Sequence, residues 1–186
     1  MISRESSLSS LLLIIPSRFG DDRGFFGETY SLRNYQREGV DHGFVQDNHS
    51  LSSRIGTLRG LHFQAPPFAQ GKLIRCGRGA IFDVAVDIRQ GSPTYGQWDG
   101  YELTAENGHQ LYVPVGFAHG FMTLQTDSEI IYKCTDYYAP EVEGSLHWNG
   151  CGIEWPLSVE PTLSVKDTIA PSLENFVSPF IFGENS

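Results

Sequence analysis

The sequence predicts a mainly β protein, a sandwich or barrel of short strands with a few short helices. Three observations point there. The 186 residues include 12 Phe, 8 Tyr and 20 Gly, which favours strands and tight turns. Short apolar runs recur along the chain, bounded by Gly, Pro, Asn or Asp. Only one early segment carries good helix start and stop signals. The length suits one domain, residues 1–186, with a real core. No internal repeat, low-complexity block or linker divides it.

In chain order, "SLSSLLLIIPSR" supplies the first strand, ending at Pro16. Its apolar core is too short to span a membrane, and it lacks the basic start and cleavage pattern of a signal peptide. "DDRGFFGETY" is a Gly-punctuated strand. "SLRNYQREGV" is a helix, with Ser31 as N-cap and Gly39 near its end. Then come "GFVQDNHS", "IGTLRGLHFQ", "KLIRCGRGAIFDVAVDIR", "WDGYELTAENGHQLYVP", "GFMTLQTDSEIIYKCTDYY" and "GSLHWNG". Within these, "GRG" and "ENG" read as hairpin turns. So many short strands at such spacing indicate a sandwich or barrel. The tail from Pro161 is less periodic and suits a short helix or two laid across the barrel.

Alternation places side chains. In "IFDVAVDI", Phe82, Val84, Val86 and Ile88 share one face; Ile81, Asp83, Ala85 and Asp87 share the other. An acid between Ile81 and Ala85 lies inside a barrel and needs a partner. Lys72, Ile74 and Cys76 point one way in "KLIRC", as do Ile130, Tyr132 and Cys134 in "EIIYKC". A small interior thus collects Lys72, Asp83 and Tyr132. Arg59 and His62 have opposite parity. For both to face one pocket their strand must bulge, and Gly60 is the place for it.

The net charge is −9, which argues against a general nucleic-acid binder. Yet no Asp or Glu occurs from Asn48 to Phe82, where Arg54, Arg59, Lys72, Arg75 and Arg78 fall. Such a tract suits either a small anion bound locally or a solvated basic edge strand. The 3 cysteines, Cys76, Cys134 and Cys151, are widely spaced, so neither a disulfide framework nor a zinc site is expected. Cytoplasm is the expected compartment.

Chemistry concentrates in "RGLHFQAPPFAQGKLIR" and "PVGFAHGF". The second resembles a cupin motif that delivers a His into a β-barrel. The companion motif, normally two His and a Glu, here reads "LHFQ", with Gln64 in place of the second His. His62 and His119 alone are too few for a stable catalytic metal site, so no metal is expected. His49, His109 and His147 read as structural. His62 has more useful neighbours. A neutral His beside a carboxylate is a competent base, Lys72 suits an oxyanion, and Tyr132 can supply a proton. That set suits proton abstraction next to a carbonyl.

Eight blocks in order, "DDRGFFGE", "FVQDNHS", "LRGLHFQ", "GKLIR", "FDVAVDIRQGSPTYG", "PVGFAHGF", "IIYKCTDYYAP" and "LSVKD", together resemble the dTDP-4-dehydrorhamnose 3,5-epimerase family, from about Leu11 to Asp167. The resemblance implies a metal-independent cupin-type jelly roll, usually a homodimer, with no cofactor and a dTDP-4-keto-6-deoxysugar as substrate. It implies His62 as general base, Asp167 as its orienting partner, Lys72 as enolate stabiliser and Tyr132 as proton donor. Arg23 and Glu28 would contact the nucleotide, across the dimer interface. Gln46, Asp47 and Asn48 would line the pocket and Arg59 would hold diphosphate oxygens. His119, Glu143 and Lys166 match further ligand contacts, while Phe26 and Tyr138 would stack on thymine. No membrane partner is implied. In "HWNGCGIEWP", Gly150 and Cys151 depart from the family's usual wording. Relatives with the same motifs invert only one carbon, so a single-site epimerase is the nearest alternative. A non-catalytic nucleotide-sugar-binding cupin is the other.

Overall fold

The structure, a computed structural model, describes residues 2–8, 10–156 and 158–183. Its strands are β1 (Ile2–Glu5), β2 (Leu12–Ile15), β3 (Arg18–Asp21), β4 (Gly24–Gly27), β5 (Gln46–Ser52), β6 (Leu58–Gln64), β7 (Lys72–Arg78), β8 (Ala80–Asp87), β9 (Trp98–Thr104), β10 (Gln110–Val113), β11 (Phe117–Thr123), β12 (Ser128–Cys134) and β13 (Glu143–Ser145). Two short helices are α1 (Leu32–Arg37) and α2 (Val165–Ile169). A six-stranded sheet runs β1-β2-β10-β7-β12-β5 and faces a five-stranded sheet, β13-β6-β11-β8-β9. β3 and β4 form a separate hairpin.

Alternation builds three apolar layers. Between the sheets lie Leu13, Ile74, Cys76, Leu111 and Ile130 from one, against Ile81, Ala85, Leu103, Phe117 and Phe121 from the other. On the back of the five-stranded sheet, Val84, Val86, Ala118 and Met122 meet Ile153, Trp155 and Phe180 of the C-terminal segment. On the back of the six-stranded sheet, Leu12, Ile14, Leu73 and Tyr112 are covered by Tyr35 and Val40, brought there by α1. The parity expected in "IFDVAVDI" therefore holds on both faces.

The expected hairpin turns differ. β7 and β8 flank "GRG" but lie in opposite sheets, as do β9 and β10 around "ENG". Both turns are corners. Gly79, at φ +75°, brings the chain so close that a Cβ there would sit 2.5 Å from Ser128 Oγ. Turn residues report a reversal of direction, and they carry no information on which strand pairs with which. Passing from β5 to β13, the chain changes sheet at every step except β8–β9. That is the jelly-roll winding.

Two further expectations shift. "LLLII" forms β2, because Ile2–Glu5 already pairs with it as β1. "DDRGFFGETY" contributes to a hairpin, not one strand. That hairpin projects Phe19, Phe25 and Phe26 outward. It is held by Arg18, which donates to the carbonyls of Ala105 and Glu106 at 2.8 and 2.7 Å. α1 starts after Ser31, as expected, and Gly39 follows its end at φ +96°.

Candidate active site

The site begins with an irregularity in β6. His62 pairs with His119 of β11, and Arg59 pairs with Phe121, so three steps on β6 match two on β11. The extra residue is a bulge at Gly60, where φ is +130° and a Cβ would lie 2.5 Å from Gly120 Cα. No other residue fits there. The bulge turns Arg59 and His62 into one cavity of about 410 Å³, lined also by Lys72, His119, Tyr132, Ser164 and Asp167. β6, β7, β11, β12 and α2 thus converge on residues that the sequence had spread over a hundred positions.

His62 Nε2 lies 2.7 Å from Asp167 Oδ1. The other carboxylate oxygen of Asp167 accepts from the Ser164 hydroxyl at 2.7 Å. Ser164 is the N-cap of α2 and Asp167 its third residue, so the two close a capping box. The local rule that starts this helix also fixes the carboxylate against the imidazole. Burial pushes the His62 pKa down; the Asp167 charge pulls it up, and Lys166 and Lys72 push it down again, with a net lowering. The ring is therefore neutral at neutral pH. With Nε2–H donated to Asp167, the lone pair sits on Nδ1.

Burial also lowers Lys72, against the opposing charges of Glu143 and Asp83. Tyr132 is raised, mainly by burial, so it keeps its proton at neutral pH. Asp83 is fully buried and meets His119 Nε2 at 2.8 Å. The partner expected for this interior acid is thus a histidine on the adjacent strand, with Lys72 acting only through its charge.

Beside these groups runs a polar chain. Gln46 accepts from the Tyr138 N–H at 2.9 Å and donates to Asn48 at 3.2 Å. The Tyr138 hydroxyl donates to Glu143 at 3.2 Å, and Glu143 also pairs with Lys166. Burial works to raise the Glu143 pKa, but the Lys166 ammonium and its hydrogen bond hold it low. Gln64, in the position of the cupin His, spends its amide on the backbone: it donates to Tyr137 O at 2.8 Å and accepts from Ala139 N at 2.9 Å. Among the described residues no cluster of three or more His, Cys, Asp or Glu could hold a metal ion.

Residues 5–175 match the model of the family described as dTDP-4-dehydrorhamnose 3,5-epimerase. The chain belongs to the dTDP-4-dehydrorhamnose 3,5-epimerase family. A protein of that name from Sinorhizobium fredii is 54% identical over 175 residues, 93% of this chain and 90% of the relative. The Bacillus anthracis epimerase, solved with TDP and PPi bound, superposes with TM-score 0.89 at 48% identity, over 92% of this chain and 98% of that one. The Legionella pneumophila enzyme, solved with dTDP-4-keto-L-rhamnose, gives TM-score 0.90 at 45% identity, over 95% and 94%. As a member of this epimerase family the chain is an isomerase-class enzyme for a sugar nucleotide.

Of the family-matched residues, Arg59, His62, Lys72, His119, Tyr132 and Asp167 line the cavity, Gln46, Asn48, Tyr138, Glu143 and Lys166 belong to the polar groups beside it, and the remaining four lie away from both. Asp47 sits between Gln46 and Asn48, so alternation points it to the opposite face, where both its oxygens are 2.9 Å from Lys133 Nζ. Arg23 pairs with Asp21, Phe26 is 73% exposed, and Glu28 accepts from Asn34 at 2.7 Å. All three of these belong to the β3–β4 hairpin or its exit. Ser164 was missed, although Ser164-x-x-Asp167 ahead of a short helix is a readable capping signal.

Proposed function

We propose that the protein converts dTDP-4-dehydro-6-deoxy-D-glucose to dTDP-4-dehydro-L-rhamnose by acid–base chemistry in the His62 cavity. The observation that carries this is the convergence of the His62–Asp167 pair, Lys72 and Tyr132 on one cavity. The C4 ketone acidifies the C–H bonds at C3 and C5. His62 takes a proton from one of these carbons, and the electron pair moves into an enolate whose oxygen Lys72 stabilises. Tyr132 returns a proton from the other face of the ring and the centre inverts. Water then takes the proton from His62 and restores the one on Tyr132, and repetition at the second carbon completes the change. No electrons are gained or lost overall, so the scheme draws on no redox carrier, and none of its steps uses a metal.

Arg59 holds diphosphate oxygens in this reading. Gln46, Asn48, His119, Glu143 and Lys166 line the nucleotide-sugar path, and Tyr138 stacks on thymine. Arg23, Phe26 and Glu28 serve a partner's site in a cytoplasmic homodimer. The outward Phe cluster of the hairpin supports that assignment. Asp47 then acts through Lys133 and not on the sugar directly. Residues 1–186 work as one domain.

Proton NMR in deuterated buffer, with this substrate and no reductase, tests the proposal. Loss of both the C3 and C5 signals is expected. Exchange at one carbon would make the protein a single-site epimerase, and exchange at neither would leave only nucleotide-sugar binding.

A further inference from the structure

Asp83 sits in the middle of β8, on the inner face, with 0% exposure. Its Oδ1 meets His119 Nε2. Its Oδ2 is the one buried side-chain oxygen or nitrogen without a hydrogen-bond partner among the described residues. A half-satisfied carboxylate is costly in a barrel interior, and a core packed for stability alone would carry an apolar residue there. Its neighbours are chemical. His119 lines the cavity, and the Asp83 charge acts on Lys72 and Cys76 of the facing sheet.

We propose that Asp83 is a positioning residue for the epimerisation: it sets the His119 ring and supplies the buried negative charge opposite Lys72. The inference rests on the epimerase reading of this cavity. By accepting the Nε2 hydrogen, Asp83 fixes which imidazole nitrogen is left to the ligand. By facing Lys72 across the barrel, it keeps the ammonium charged where burial works to neutralise it. The groups facing Lys72 are Tyr132 and Cys134 from β12, His62 and Arg59 from β6, His119 from β11, Glu143 from β13, and Lys166 and Asp167 from α2. Of these, Glu143 also supports its charge. Asp167 is also buried, but its oxygens are taken by His62 and Ser164, so Asp83 stands apart as the buried carboxylate with an oxygen to spare.

The test is Asp83→Asn, which keeps shape and removes charge. Expected are a kcat about 10- to 100-fold lower, C3 and C5 exchange slowed together, and dTDP binding unchanged. The alkaline limb of kcat, set by Lys72 losing its proton, moves to lower pH, since removing a negative neighbour lowers that pKa further. The acid limb stays in place. A purely structural Asp83 would lower the melting temperature and leave the alkaline limb unmoved; that result overturns the proposal. Wild type run alongside separates the two claims. Absent exchange in wild type overturns the epimerase reading and this inference with it, whereas normal exchange in both proteins overturns this inference alone. Should Asp83→Asn fail to fold, nitrogen NMR of histidine-labelled wild type decides. Hydrogen on His119 Nε2 is expected, and hydrogen on Nδ1 with bare Nε2 overturns the proposal.

Discussion

His62 and His119 are cross-strand neighbours on β6 and β11, and each leans on an aspartate, at 2.7 and 2.8 Å. The two pairs are nonetheless built for different work. Asp167 has its second oxygen tied to Ser164, so all its acceptor capacity is directed. Asp83 has its second oxygen bare. The His62 side chain is 27% exposed and that of His119 is 10% exposed. One ring stands at a bulge at the cavity mouth, held from outside by a helix cap. The other is part of the barrel wall, held from within. The same residue types stand as the proposed proton acceptor in the first place and as a fixed wall in the second, and what differs is access and the state of the spare oxygen.

The largest expected effect breaks this symmetry. His62→Asn should lose about 10³-fold or more in turnover, the upper range for losing a general base, while still binding dTDP. His119→Asn should lose about 10-fold, mostly as a raised KM, as expected for a binding contact. Equal losses in kcat would mean the two rings share the proton work. Turnover and dTDP titration of both variants measure this.

Next is the tether that only the first pair has. Ser164→Ala removes a hydrogen bond to Asp167 and the cap of α2, and Ser164→Thr keeps both. We expect kcat to fall about 10-fold in the Ala variant, with stability lower by about 1 kcal/mol, and Thr to restore both. A loss of stability with unchanged kcat would show that the capping box serves the helix alone.

A smaller, signed effect is in pH. His62 is held below its ordinary 6.5, first by burial. Its base form therefore persists below pH 6.5, and the acid limb of kcat/KM should lie there. Asp167 pulls this pKa up, so Asp167→Asn should move the limb to still lower pH as the plateau falls. The unfolded chain binds this proton more readily than the folded one. Its stability contribution is thus full above pH 6.5 and lost as pH falls through the folded value. An acid limb above 6.5 in kcat/KM profiles would contradict the burial argument.

How far these features were readable follows from what each depends on. The inner and outer faces of β8 depend only on a period of two, and they were readable. So was the bulge, because Arg59 and His62 have opposite parity and only Gly60 lies between them that tolerates the backbone. Sheet assignment was not readable. Gly79 and Gly108 mark corners as well as they mark hairpins, since a positive φ is needed in both. The His62–Asp167 contact joins residues 105 apart. No local pattern encodes that distance, and it came only from the family resemblance. Asp83 was legible as an interior acid in need of a partner, but not as the partner of His119, because pairing β8 to β11 is a fact of topology.

The smallest effect concerns the charge that the second pair is inferred to hold. Lys72 is lowered from 10.5, with burial the leading cause, so its charged form is less welcome in the folded protein than in the unfolded one. At neutral pH both states are protonated and the folded state bears the whole desolvation cost. That cost is relieved only as pH rises through the folded pKa toward 10.5. Lys72→Met keeps the chain length without the charge. At pH 7 it should stabilise the protein by about 1 kcal/mol, or about 3 °C in Tm for a chain of this size. The gain should shrink when melting is repeated near pH 10. If Lys72→Met melts lower than wild type at pH 7, then Asp83 and Glu143 together more than offset the burial. Lys72 would then be a structural ion pair as much as a functional charge, and the contrast between the two histidine–aspartate pairs would narrow to access alone.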